Sequence, residues 1–432
     1  MSQAVSTTAL VIDGLPPISR CLLAVCDPRL RLDCAAAAGE PPEALVASHL
    51  PDARTRLLRA LADVRDWPRL RAAAVQQGLA GLFGAQLLAL AGAEAGGGVL
   101  PDSERSEWRA LSRAVTARSL RMTAVLVKVL AELDRAGVRA LPYKGPALAQ
   151  QLYGDPCLRH YVDLDVVVAP GDVQRALDCL QAVGWQAEQP IRTVGAAAYM
   201  AAEQEVSLSS ACNETTLDLH WRIGRRFVAD SLPAGDVLRR AHVGELLGRP
   251  VLMPDQVDVA LVMAVHAANH DWRLLEAVAA LAAAFAALDD QGWRVLARRA
   301  SAYGCRRRVG VAVALVRDLA CVGVSWGGAP FVDAATERTA ARARAHLLAS
   351  LGHSGVGRGG DGGASPPTRR ERAADAFWQA SALDTPRAVA VNMYCRLTAP
   401  GRRDWSQPGA THGDGDGRLP LWLRRQLRIW RR

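Results

Sequence analysis

Lysine is almost missing from this 432-residue chain: only Lys128 and Lys144 stand against fifty arginines. The formal net charge of +9 is therefore an arginine charge. Phenylalanine is also scarce, with five in the chain. The nine cysteines (Cys21, Cys26, Cys34, Cys157, Cys179, Cys212, Cys305, Cys321 and Cys395) are odd in number and scattered, and none forms a C-x-x-C pair. That excludes the common zinc and dithiol redox motifs and leaves reduced thiols in a cytoplasmic protein as the expectation. No basic stretch followed by an apolar run opens the sequence, so no signal peptide is expected. Long hydrophobic runs are missing too. Residues 78–93 are interrupted by Gln86, and 277–288 is only twelve residues long, short of the ~20 needed to span a bilayer. Both read as buried helices.

What is present favours helix. Half the residues are apolar, with alanine and leucine throughout, and the length suits two or three domains. The chain organises itself around residues 138–168, VRALPYKGPALAQQLYGDPCLRHYVDLDVVV. An apolar strand over 138–143 turns at Lys144-Gly145, a short helix follows over 146–153, and a second strand covers 161–168. Alternation on that strand points Asp163 and Asp165 to one face and Leu164, Val166 and Val168 to the other. Such a pair either decorates a solvent-facing strand or holds a hard cation such as Mg²⁺ through its oxygens. A later strand, TLDLHW over 216–221, puts Asp218 and His220 on one face. Three acids on two strands are enough to grip two ions about 4 Å apart, the arrangement of phosphoryl transfer. At the turn, Gly145 lets a phosphate approach the backbone and Pro146 suits the first helical position, where free N–H groups face an anion. Lys144 adds a point charge there.

Around this stretch the pattern is helical. Residues 1–40 are weakly patterned; 54–63, 67–90 and 104–133 carry apolar residues at three- and four-residue spacing. Residues 171–183 read as an amphipathic helix, and 204–210 with 216–221 as a hairpin. Helices resume at about Ala234. His266 and His270 share a helical face there, but Ala267 replaces the glutamate that a zinc-protease motif needs. After Leu351 comes GHSGVGRGGDGGASPPT, a linker by composition. A short helix over 373–383 and a second glycine-rich break follow. The closing LPLWLRRQLRIWRR reads as a basic amphipathic helix, with six arginines between Arg418 and Arg432, suited to docking on its own protein, to an anionic membrane or to nucleic acid.

The order KGxAL, RxxxDLDVVV, LDLHW resembles the uncharacterised nucleotidyltransferase-like family of bacteria, within the DNA polymerase beta-like nucleotidyltransferase superfamily. The resemblance covers roughly residues 60–320, including the lead-in DWPRLRAAAVQQGLAGL and the H-xxx-H-x-W-x-L helix. It implies an α+β, mostly helical protein whose small mixed-sheet nucleotidyltransferase core is flanked by N- and C-terminal helical regions. The expected divisions are 1–119 (helical), 120–233 (core), 234–351 (helical) and 352–432 (flexible linker and basic tail). It also implies a Mg²⁺-dependent transfer, with two ions on Asp163, Asp165 and Asp218. An acceptor (a peptide, small molecule or RNA) would attack the α-phosphorus of an NTP and release pyrophosphate. Lys144, Gly145 and Arg159 are the candidate phosphate contacts, and Asp218 a candidate acceptor base. His220, His270 and Arg273 are secondary candidates, each with packing as its alternative. Two features depart from the superfamily: Lys144-Gly145 replaces the usual Gly-Ser, and the gap to Asp163 is longer. They keep open a nucleotide-binding regulatory protein without turnover. The net charge and the arginine-rich tail keep open an RNA- or membrane-surface-binding protein.

Overall fold

A computed structural model describes residues 12, 14–31, 53–93, 100–187, 200, 203–210, 215–224, 232–320, 331–352 and 380–398. The chain opens with helices α1 (Pro17–Val25), α2 (Ala53–Ala62), α3 (Trp67–Gln76), α4 (Ala80–Ala93) and the long α5 (Asp102–Arg135). The core follows as β1 (Ala140–Pro142), α6 (Gly145–Tyr153), β2 (Leu164–Val168), α7 (Val173–Ala182), β3 (Gln186–Ala187), β4 (Glu205–Ser209) and β5 (Thr216–His220). Two short strands, β6 (Arg222–Ile223) and β7 (Leu232–Pro233), pair with each other and lead into α8 (Ala234–Arg240). A hairpin of β8 (His242–Leu246) and β9 (Arg249–Met253) precedes helices α9 (Gln256–Asn269), α10 (Leu275–Ala286), α11 (Asp290–Ala302), α12 (Arg306–Leu319) and α13 (Ala334–Gly352). The last described element is α14 (Pro386–Thr398). The fold is α+β and mostly helical, with a small mixed sheet.

That sheet has the order β1-β2-β5-β4-β3. Its central pair, β2 and β5, is parallel and places Asp165 directly opposite Asp218. The pairs β1–β2, β4–β5 and β3–β4 are antiparallel. Side chains alternate across a pleated strand, and here the alternation separates two chemistries. Leu164, Val166, Val168, Val206, Leu208, Leu217 and Leu219 are all buried in one apolar cluster. Leu126, Val129 and Leu133 of α5 and Leu177 and Leu180 of α7 close over that face. The intervening residues Asp165, Glu205, Ser207, Asp218 and His220 fall on the other face.

A second buried cluster runs through α1–α4 and α9–α13, so the early and late helices share apolar contacts. Several helices begin at side-chain caps. Asp66 accepts from the Arg69 amide, Asp255 from those of Val257 and Asp258, and Asp289 from that of Gly292, each satisfying donors the helix leaves orphaned.

The structure departs from the helical pattern in three places. Residues 67–90 form two helices rather than one, because Gly78 takes a left-handed φ of 70°. Gln77 uses that break to hold α10: its side-chain oxygen accepts from the Leu275 amide and its carbonyl from the Glu276 amide. The second departure is the β8–β9 hairpin, which interrupts the helices expected from 234. Leu247 and Gly248 both have positive φ at its turn, the geometry that matches strand twist in a two-residue connection. The third is α14, within a region read as linker and tail. The expected helix over 373–383 falls mostly, and the arginine-rich tail entirely, outside the described residues. Among the described residues no helix is long and apolar enough to cross a membrane.

The segment before α14 is anchored to the helical core. Both oxygens of Asp384 accept backbone N–H groups at the start of α12, from Arg306 at 2.8 Å and Arg307 at 2.7 Å. Arg307 returns a bond to the Leu383 carbonyl at 2.6 Å, and Leu383 is buried. Asp384→Ala should cost about 1–2 kcal/mol, as loss of a helix cap does. It should lower the Tm and speed proteolysis between residues 353 and 398; an unchanged Tm and cleavage pattern would show that this segment does not hold α12.

Candidate active site

The polar face of the sheet is assembled by register. Because Asp165 opposes Asp218, and Ser207 and Glu205 oppose Asp218 and His220 on the other side, five polar side chains occupy three neighbouring strands. Tyr143 and Lys144 join them from the turn after β1, which the Tyr143 amide ties to the Asp165 carbonyl at 3.3 Å. Lys144 stands in extended conformation at the N-cap of α6, and Gly145 has a φ of 59°, a value that suits glycine and few other residues.

Asp165 is the centre. Its Oδ1 takes the Lys144 ammonium at 2.7 Å and His220 Nε2 at 3.0 Å, with the Tyr143 hydroxyl at 3.5 Å. Burial alone would push this carboxyl up, but Lys144 and His220 outweigh it and hold it well below the usual carboxylate range. Both partners are raised in return: burial opposes their charge, and for Lys144 the neighbouring Asp165 prevails, for His220 the flanking Glu205 and Asp165. His220 Nδ1 lies 3.1 Å from Glu205 Oε2, an ion-pair distance with the N–H off the ideal hydrogen-bond line.

Asp218 behaves differently. Burial, opposed by Ser207 and reinforced by Glu205 and Asp165, pushes its carboxyl up to about 6. Its Oδ1 is buried without a hydrogen-bond partner. Asp163, just before β2, is also raised, first by burial and then by Asp165. Among the described residues the compact group able to share a metal ion is Asp165, Asp218 and His220, with one donor atom from each within 4.8 Å of the others. Asp163 stands outside it. Both ring nitrogens of His220 already face carboxylates, which leaves Asp165 and Asp218 as the oxygen donors. A buried carboxylate oxygen with no partner, beside a second carboxylate, fits a hard divalent cation.

The other sequence candidates take different positions. Arg159 is buried and its Nε meets Glu276 Oε1 at 2.6 Å, tying the loop before β2 to α10. His270 ends α9, its ring 4.6 Å from that of His266. Arg273 pairs with Asp271 at 2.7 Å and is mostly exposed. His266 lies within electrostatic reach of Lys144 and Asp165. Burial, then Lys144, pushes its imidazole well below the ordinary range, with Arg159 and Asp165 also acting on it. Sequence reasoning missed Glu205, whose partner is set by strand register and not by spacing.

With two facing strand carboxylates and a lysine-bearing turn in place, the sequence over residues 63–320 matches a known family model, described as uncharacterised nucleotidyltransferase. The chain belongs to this nucleotidyltransferase family. It is accordingly a transferase of phosphorus-containing groups. Comparison with curated proteins gives no match. Among solved structures, the chain is similar to the solution structure of the antibiotic-resistance factor ANT(2'')-Ia. That likeness spans 42% of this chain and 91% of the other, at 16% identity and a TM-score of 0.31.

The raised carboxyl of Asp218 carries a stability signature. Its folded value of about 6 lies above the ordinary 3.8, so the folded protein binds this proton more tightly than the unfolded chain. Its contribution is fully present below about pH 4 and is lost as pH rises through about 6. In chelator, Asp218→Asn should fall less steeply in Tm than the parent between pH 4 and 6.5. Parallel Tm curves for the two proteins would contradict the burial of an ionisable Asp218.

Proposed function

We propose that this nucleotidyltransferase moves an NMP from an NTP to an acceptor, using Mg²⁺ and releasing pyrophosphate. The observation that carries the reading is the facing pair Asp165 and Asp218 on adjacent parallel strands, with a buried unpartnered oxygen on Asp218. Asp165 and Asp218 would hold the cation, with Asp163 beside them as a further carboxylate for a second ion. Bound there, a divalent ion neutralises triphosphate charge and aligns the reacting oxygens.

The protein's own groups supply the rest. The turn at Lys144-Gly145 opens the backbone toward the β- and γ-phosphates, and Lys144 exchanges its bond to Asp165 for one to the leaving pyrophosphate. With Oδ1 given to the cation, Asp218 would take the proton from the acceptor oxygen through Oδ2 as that oxygen bonds the α-phosphorus and the α–β bridging P–O bond breaks. Arg159 keeps its bond to Glu276, so we assign it no phosphate. His266 lies within electrostatic reach of the same face; His270 caps the end of α9 and Arg273 follows in the turn beyond it. The acceptor is a peptide, a small molecule or an RNA, and labelling decides among them.

Incubation with α-³²P-labelled NTPs, Mg²⁺ and a cell extract should label one acceptor class and release pyrophosphate. Asp165→Asn should reduce that transfer by roughly 10³-fold, the equivalent of several kcal/mol of lost charge stabilisation. Lys144→Met should weaken NTP binding and transfer together, with only partial recovery in Lys144→Arg. Tight NTP binding with no pyrophosphate formed would replace the enzyme by a nucleotide-binding protein. Full activity in Asp165→Asn would overturn the site assignment.

A further inference from the structure

We infer that Glu205, acting through His220, is a positioning residue that fixes which oxygen of Asp165 is presented to a cation; the inference rests on the cation reading above. Strand register places Glu205 of β4 directly opposite His220 of β5. The imidazole is thereby held between two carboxylates, with Nδ1 3.1 Å from Glu205 Oε2 and Nε2 3.0 Å from Asp165 Oδ1. Tyr143 closes the arrangement. Its ring stands edge-on to the imidazole, 5.1 Å between centroids at 89°, and its hydroxyl lies 3.2 Å from Nε2 and 3.5 Å from Asp165 Oδ1.

Lys144, His220 and Tyr143 therefore all address the same oxygen of Asp165. Their convergence locks the carboxylate rotation and leaves Oδ2 as the atom for a cation shared with Asp218 Oδ1. The imidazole alone could turn about its Cβ–Cγ bond. Glu205 restrains that rotation through its ion pair with the opposite ring nitrogen. Side chains that orient a ligating carboxylate in this way commonly change metal affinity by about 10–100-fold when lost. Tyr143, His220 and Asp165 are buried, so bulk water cannot replace a missing partner.

The test reads binding of Mn²⁺ alone, by electron paramagnetic resonance of the free ion, in the full-length protein without nucleotide. Glu205→Gln should weaken Mn²⁺ binding about tenfold or more, and Glu205→Asp should recover part of it. Tyr143→Phe, which keeps the packing and removes one donor to Asp165 Oδ1, should weaken it less. In turnover, Glu205→Gln should raise the Mg²⁺ concentration for half-maximal rate while saturating Mg²⁺ restores most of kcat. Should Glu205→Gln not fold, Glu205→Asp carries the test: withdrawing the carboxylate by one methylene should still weaken Mn²⁺ binding, by a smaller factor, and parent-like affinity in that variant would overturn the inference. If the parent and Glu205→Gln bind Mn²⁺ equally while Asp218→Asn does not bind, Glu205 has no positioning role and the cation site stands. If the parent binds no Mn²⁺, the cation reading itself fails and this inference falls with it.

Discussion

The polar face of this sheet depends on keeping one carboxylate ionised inside the protein. Asp165 is 4% exposed, and an unpaired charge at such depth would take up a proton instead. Lys144 and His220 prevent that. Their bonds hold the negative charge in place, and Glu205 stabilises the positive charge on His220 from its far side. The four groups form one electrostatic unit, so changing any member alters the rest. Buried ion pairs contribute little net stability once desolvation is counted, which makes function the better account of why so many charges gather on one face.

Neighbouring carboxylates then acquire different properties from different surroundings. Asp165, with two cationic partners, stays ionised; Asp218, with a hydroxyl and more carboxylates, is raised. Divergent titration of adjacent acids is the arrangement that lets one group bind charge while another moves a proton. The C-terminal helices contribute to the same region from outside the sheet. Glu276 of α10 neutralises Arg159 beneath the loop leading to β2, and His266 of α9 is kept neutral by burial and by Lys144. Changes in helix packing would therefore be felt at the carboxylate face.

Much of this face was legible in the sequence because strand alternation is a strict period. DLD and LDLH announce their own faces, and K-G-P announces a turn at a helix start. Three things were not legible. Which strands are neighbours, and in what register, is a tertiary property, so Glu205 opposite His220 left no local trace. Charge partners far along the chain were equally hidden: Arg159 was read as a phosphate contact but is engaged by Glu276, 117 residues away. The hairpin of β8 and β9 was masked by its helical surroundings, although Leu247-Gly248 marks its turn in retrospect. Asp384 at the start of α12 shows the same limit, since a cap supplied from 78 residues downstream has no sequence signature.

The central claim is that Asp165 and Asp218 share a divalent cation on the polar face of the sheet. Its most direct test is a crystal of the protein grown with Mn²⁺ and a non-hydrolysable NTP analogue, measured at the manganese absorption edge. The account predicts an anomalous peak in contact with Asp165 Oδ2 and Asp218 Oδ1, with the Lys144 ammonium moved from Asp165 to the phosphates. Analogue bound with no manganese at these two carboxylates, or manganese held elsewhere, would contradict it.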